Sequence, residues 1–192
     1  MQIFVFCFHH FQSHSFSIFR ENFAMKTLEI QQSPPANEST LSEYEQERGK
    51  PMPSKNHAII QTALSFALFG RYRKQFSILS EVSISLSSDK ATPDIAIFPL
   101  LSVDWKHDEI TLSEPPLTTI EILSPSQALS VLTDKAEDYF SIGVKSCWIV
   151  LPQLTTILTI QADRTNTYFQ IGDTLNDPAT GITLEVDAVF AR

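Results

Sequence analysis

Two acidic residues set in apolar stretches, and one amine downstream, are the residues of this chain best suited to chemistry. Asp94 lies in Thr92-Pro93-Asp94-Ile95-Ala96-Ile97-Phe98 and Glu121 in Leu117-Thr118-Thr119-Ile120-Glu121-Ile122-Leu123-Ser124-Pro125, with Lys135 following on an expected helix. An ionised carboxylate inside an apolar strand is costly to bury unless something positive meets it, so two of them plus an ammonium suggest one shared site. Such a site fits metal-assisted phosphodiester hydrolysis. Asp94 and Glu121 would bind Mg²⁺ through oxygen, and the Lys135 ammonium would orient the attacking water or neutralise charge growing on the phosphate. Plainer readings stand beside this one: Asp94 after a proline as turn chemistry, and Glu121 with Lys135 as a structural salt bridge with no metal.

The elements that must position these groups have to come from one domain. The 192 residues are 43% hydrophobic and 19% charged, enough for a single domain with a real core. A formal net charge of -8 argues against coating nucleic acid through broad counterion release. It leaves room for an enzyme that gathers cations at an acidic centre and meets phosphates with a local basic rim. Arg71, Arg73 and Lys74 around Tyr72, or Lys50 and Lys55, could form that rim or simply be a solvated surface. The two cysteines, Cys7 and Cys147, make no disulfide framework, and Cys147 in Cys147-Trp148-Ile149-Val150-Leu151 reads as a small buried hydrophobe. A reducing cytoplasm fits.

Residues 1–10 are aromatic and apolar but lack a basic leading region and a small-residue cleavage site, and they are too short to span a bilayer. The composition changes abruptly at Met25-Lys26-Thr27, which suggests Met25 as the native start and residues 1–24 as an upstream extension. Residues 1–40 as a whole read as a disordered leader and 41–192 as the folded domain.

Within that domain, Asn56 is the expected N-cap of a helix with Ile59, Ile60, Ala63, Leu64, Ala67 and Leu68 on its buried side and Gly70 at its end. Alternating strands follow through Phe76, Ile78, Val82, Ile84 and Leu86. The Asp94 strand, a loop containing Trp105 and the Glu121 strand come next. A second helix is expected from about Leu132 to Ile142, with Leu132, Ala136, Tyr139 and Phe140 buried and Gly143 closing it. On those bounds Lys135 stands in the first turn, where its charge opposes the helix dipole, so something else should hold it. Trp148 to Leu151 is then a central strand. Thr156–Ile160 and Thr167–Ile171 form a peripheral antiparallel pair, and Ile182, Leu184 and Val186 a last edge strand. The fold class is α+β: an α/β sandwich with one mixed sheet flanked by helices and additional antiparallel strands.

Taken in order, Tyr44-Glu45, Gly49-Lys50, His57, Pro93-Asp94, Glu121-Ile122-Leu123-Ser124-Pro125-Ser126, Lys135 with Tyr139, Gly143-Val144, Trp148-Ile149-Val150 and Gly172-Asp173 resemble the Uma-type restriction endonuclease-like family, within the PD-(D/E)XK nuclease superfamily. The match covers roughly residues 44–190. The resemblance implies a restriction-endonuclease-like fold, and Asp94, Glu121 and the backbone carbonyl of Ile122 as ligands of Mg²⁺, with Mn²⁺ able to substitute. The superfamily pattern places a lysine two residues beyond the glutamate. This chain has Leu123 there, and Lys135 is the candidate for an amine that has moved to the neighbouring helix.

The reading favoured is a Mg²⁺-dependent DNA endonuclease, expected as a homodimer because cutting both strands takes two sites, with no membrane association. A nuclease-fold module that binds DNA or protein without cleaving is the alternative, and a hydrolase of small phosphoesters is a third. Glu81 could add a carboxylate if its strand lies alongside. His57 reads as a helix-start cap or packing residue, and Tyr139 and Trp148 as core.

Overall fold

The computed structural model describes residues 52–191. The expected leader, the Met25 start, the domain boundary at 41, Cys7, and the Tyr44-Glu45 and Gly49-Lys50 motifs lie outside the described residues.

Helix α1 (Lys55–Tyr72) carries no Asp, Glu, Lys or Arg between Lys55 and Arg71. Its N-cap is Ser54 rather than Asn56, because the Ser54 hydroxyl accepts the backbone N–H of His57 at 3.3 Å. The helix also continues past Gly70. The buried Tyr72 anchors its end, donating its hydroxyl to the Thr183 carbonyl at 2.9 Å and accepting the Thr183 N–H at 2.8 Å. That anchor offsets the roughly 1 kcal/mol a helical glycine costs.

Six strands form the main sheet: β1 (Phe76–Ser80), β4 (Ile95–Pro99), β6 (Thr118–Ile122), β7 (Ser146–Leu151), β8 (Thr156–Gln161) and β9 (Asn166–Gln170), in the order β1-β4-β6-β7-β8-β9. Only β6 and β7 run parallel, and helix α2 (Leu129–Ser141) makes the crossover between them. The other neighbours are antiparallel, and β8 and β9 form the expected peripheral antiparallel pair at one edge of the central sheet. Strands β6 and β7 are buried on both faces, which explains the apolar run Cys147-Trp148-Ile149-Val150-Leu151 in β7.

Alternation divides the side chains between two cores. Ile95, Ile97, Ile120, Ile122, Trp148 and Val150 pack against Ile60, Leu64 and Leu68 of α1. Ala96, Phe98, Cys147, Ile149 and Leu151 pack against Leu132, Ala136 and Tyr139 of α2. A small sheet of β2 (Ser83–Ser85), β3 (Lys90–Ala91) and β5 (Thr111–Leu112) adds Ile84 to the second core. The expected last edge strand is instead half of a hairpin, β10 (Thr174–Asp177) with β11 (Ile182–Glu185), followed by the short helix α3 (Asp187–Phe190). Leu175, Ile182 and Leu184 of that hairpin belong to the α1 core. No helix among the described residues is long and apolar enough to cross a membrane.

Helix α2 starts three residues before the expected position, which puts Lys135 in its middle and removes the conflict with the helix dipole. Gly143, at φ 106°, closes it as expected, with its N–H on the Phe140 carbonyl and the Val144 N–H on that of Tyr139.

Asp177 is fully buried, and its carboxylate accepts from Thr118 Oγ1 at 3.0 Å, Trp148 Nε1 at 3.2 Å and the Ala179 N–H at 3.0 Å. It ties the hairpin to β6 and β7. Asp177→Ala strands these donors and should lower unfolding stability by about 3 kcal/mol. The measurement is the urea midpoint at constant m-value; a loss below about 1 kcal/mol would show that the donors find other partners.

Candidate active site

Asp94 immediately precedes β4, and the β4–β6 register ends at Ile95 opposite Ile120. One further step sets Asp94 across from Glu121. Their side chains leave the sheet on the face covered by α2, the parity shared by Ala96 and Ile149. Like charges directly opposite one another in a sheet repel, and these two residues are 1% and 2% exposed, so their surroundings must supply the compensation.

For Glu121 the compensation comes from α2. Lys135 Nζ lies 3.3 Å from Oε1 and 3.5 Å from Oε2, and the Tyr139 hydroxyl donates to Oε1 at 2.5 Å. Lys135 and Tyr139 are one turn apart on the same helix face, which is why both reach one carboxylate. The Lys135 side chain is 21% exposed, so it is partly covered by the protein and partly open to solvent.

For Asp94 the compensation comes from β6 and α1. The Ile122 N–H donates to Oδ2 at 2.7 Å, and His57 Nε2 stands 3.2 Å from Oδ1. On the other side of the ring, His57 Nδ1 is 3.3 Å from Ser124 Oγ. Gln61 of α1 donates to Glu81 Oε1 at 2.9 Å and to the Asp94 carbonyl at 3.1 Å, and the Glu81 N–H donates to that carbonyl at 3.2 Å. Glu81 therefore does lie alongside, in a left-handed conformation at φ 57°.

The structure thus brings Asp94, Glu121, Lys135 and the Ile122 backbone together. Tyr139, read as core, and His57, read as a cap or packing residue, both face the acids. The signals in the sequence were slight: an aromatic one turn after the lysine, and a histidine opening an otherwise apolar helix. Arg71, Arg73 and Lys74 sit at the far end of α1, about 21 Å from His57 along the helix axis, so they form no rim to this site. Arg71 and Arg73 instead lie over the rings of Tyr72 and Phe69. A broad apolar groove lined by Ala58, Ile59, Phe66 and Ala188 follows the outer side of α1 and holds no titratable group.

The donors suit a hard cation. Among the described residues no group of three or more His, Cys, Asp and Glu side chains is gathered to hold an ion. Mg²⁺ asks for less, commonly one or two carboxylates with water and substrate oxygens filling the remaining positions.

A family model described as "Uma2: Putative restriction endonuclease" matches residues 27–187. The fold is similar to the crystal structure of "a putative nuclease belonging to DUF820" from Anabaena variabilis, with a TM-score of 0.66 and 19% sequence identity over 73% of this chain and 83% of that one. No curated protein matches the chain.

Burial of the site also moves its proton equilibria. Burial, then the Glu121 charge and its hydrogen bond, hold the Tyr139 hydroxyl well above the usual 10.0. Burial pushes the Cys147 thiol up to about 12, with Thr119 and Lys135 pulling the other way and Glu121 adding to the rise. Above the usual thiol value of 9.0 the unfolded chain releases a proton that the folded chain keeps. Stability should therefore fall as pH rises from 9.0 towards about 12, with Tyr139 adding to the fall above 10.0. Urea midpoints taken from pH about 8.5 to about 10.5 should drop, and Cys147→Ala should flatten the drop. An equal slope in the variant would remove the thiol as its source.

Proposed function

The chain belongs to the Uma2 family, and on that premise we propose that it is a Mg²⁺-dependent DNA endonuclease hydrolysing phosphodiester bonds at Asp94, Glu121 and Lys135. The observation that carries the reading is the meeting of the two buried acids and one amine, from separate segments, on one face of the sheet.

Asp94, Glu121 and the Ile122 carbonyl would hold the ion, and Mn²⁺ can take its place. When bound, the ion supplies Lewis acidity and lowers the pKa of its water. The protein supplies orientation. Tyr139 and Lys135 fix the Glu121 carboxylate, and the Ile122 N–H and His57 fix that of Asp94. The ammonium of the partly exposed Lys135 side chain would orient the attacking water and offset charge on the phosphate as the 3′ oxygen leaves in line. The side chain of Leu123, where the PD-(D/E)XK pattern has its lysine, packs on the α2-side core. The amine that reaches Glu121 comes from α2 instead. Cleaving both strands of a duplex calls for two such sites, so the reading includes a homodimer, acting in the cytoplasm.

A rival reading is supported by how fully the acids are enclosed: a nuclease-fold module that binds DNA or protein without cleaving it, with Glu121–Lys135 as a structural ion pair. Metal titration separates the two.

Purified protein should nick supercoiled plasmid with Mg²⁺ or Mn²⁺ and should stop when the ion is chelated. Asp94→Asn and Glu121→Gln should abolish nicking, and Lys135→Ala should slow it about 10²- to 10³-fold. Calorimetry should show Mn²⁺ binding that both carboxylate changes remove. Nicking that survives in all three variants would place the activity elsewhere, and absence of carboxylate-dependent binding would favour the module.

A further inference from the structure

We infer that His57, held by Ser124, is the residue that positions Asp94 for the cation; the inference rests on the metal site proposed above. The ring is 5% exposed and sits at the third position of α1, where the Ser54 cap fixes its backbone. Its Nε2 faces Asp94 Oδ1 at 3.2 Å and its Nδ1 faces Ser124 Oγ at 3.3 Å. In the neutral ring these contacts allow one consistent arrangement: the Ser124 O–H donates to Nδ1, and Nε2–H donates to Asp94.

Ser124 is itself 5% exposed and directly follows the strand bearing Glu121, so one short segment holds both acids. Through Glu121 it supplies a carboxylate, through the Ile122 N–H it holds Asp94 Oδ2, and through Ser124 and His57 it sets Oδ1. With both oxygens held from different directions, rotation of the Asp94 carboxylate about its Cβ–Cγ bond is opposed. Burial requires both ring nitrogens to be partnered, and the partner of Nε2 is the Asp94 carboxylate itself.

His57 is thus a positioning residue, outside the set that touches the ion or substrate. Partners of metal-binding groups commonly contribute about 10- to 100-fold in affinity. His57→Ala should weaken Mn²⁺ binding by about that factor in calorimetry. His57→Gln, whose amide N–H can stand near the Nε2 position, should restore most of it. Ser124→Ala keeps the ring and loses only the hydroxyl that orients it, and should weaken binding by a few-fold. Thermal melts distinguish loss of packing from loss of orientation. Should His57→Ala fail to fold, Ser124→Ala decides alone. A variant with a lowered melting temperature and wild-type Mn²⁺ affinity overturns the inference and leaves the proposed function standing. No Mn²⁺ binding by the wild-type protein overturns both.

Discussion

Two carboxylates facing each other across neighbouring strands, both almost removed from water, are the constraint around which this fold is arranged. Burying one ion costs several kcal/mol even after the protein relaxes. Setting a second of the same sign opposite it adds repulsion that a sheet alone cannot relieve. The relief comes from elements far apart in sequence: His57 on α1, the Ile122 N–H on β6, and Lys135 with Tyr139 on α2. The site holds the two helices in register with the sheet, and the two apolar cores hold the helices where the site needs them.

The topology explains why these particular partners are available. The parallel pair of the main sheet, β6 and β7, requires a crossover, and α2 is that crossover, so it lies against the sheet next to the strand carrying Glu121. Residues one turn apart on its inner side then point at the same place, which accounts for an ammonium and a phenol meeting one carboxylate. Helix α1 covers the opposite face with Ile60, Leu64 and Leu68, yet its first turn reaches the end of the sheet where Asp94 stands. The helix that builds the first core thereby also delivers His57 to the site.

Much of this was legible in the sequence because it is local. An acid inside an apolar strand announces itself by its neighbours, and so Asp94 and Glu121 could be singled out, as could Lys135 beside the buried positions of its helix. The mixed sheet with flanking helices followed from the change of period along the chain. What was missed depends on proximity in space. Tyr139 has the pattern of a core residue and is one, and only the fold reveals that its hydroxyl meets Glu121. Asp177 in Asn176-Asp177-Pro178 carries the composition of a turn, while its burial under Trp148 and Thr118 needs the hairpin to be docked. Helix ends shifted for a similar reason: the Ser54 hydroxyl, not the nearer Asn56, meets the free N–H, and Tyr72 carries α1 past a glycine through its bonds to Thr183.

The acidity of the whole chain and the chemistry of the site are compatible once the charges are separated by scale. A net charge of -8 disfavours diffuse attraction to DNA, but at the site two buried carboxylates gather negative charge in one place. That negative charge lies where the effective dielectric is low and solvent screening is weak, which is where a small divalent cation gains most. On the proposed reading, a bound dication would in turn draw a phosphate to that one point. Lys135, the only one of the three side chains that reaches solvent appreciably, marks the side from which a phosphate would enter. The charge that repels DNA over the surface and the charge that would hold the catalytic ion come from the same residue types, and burial is what separates their effects.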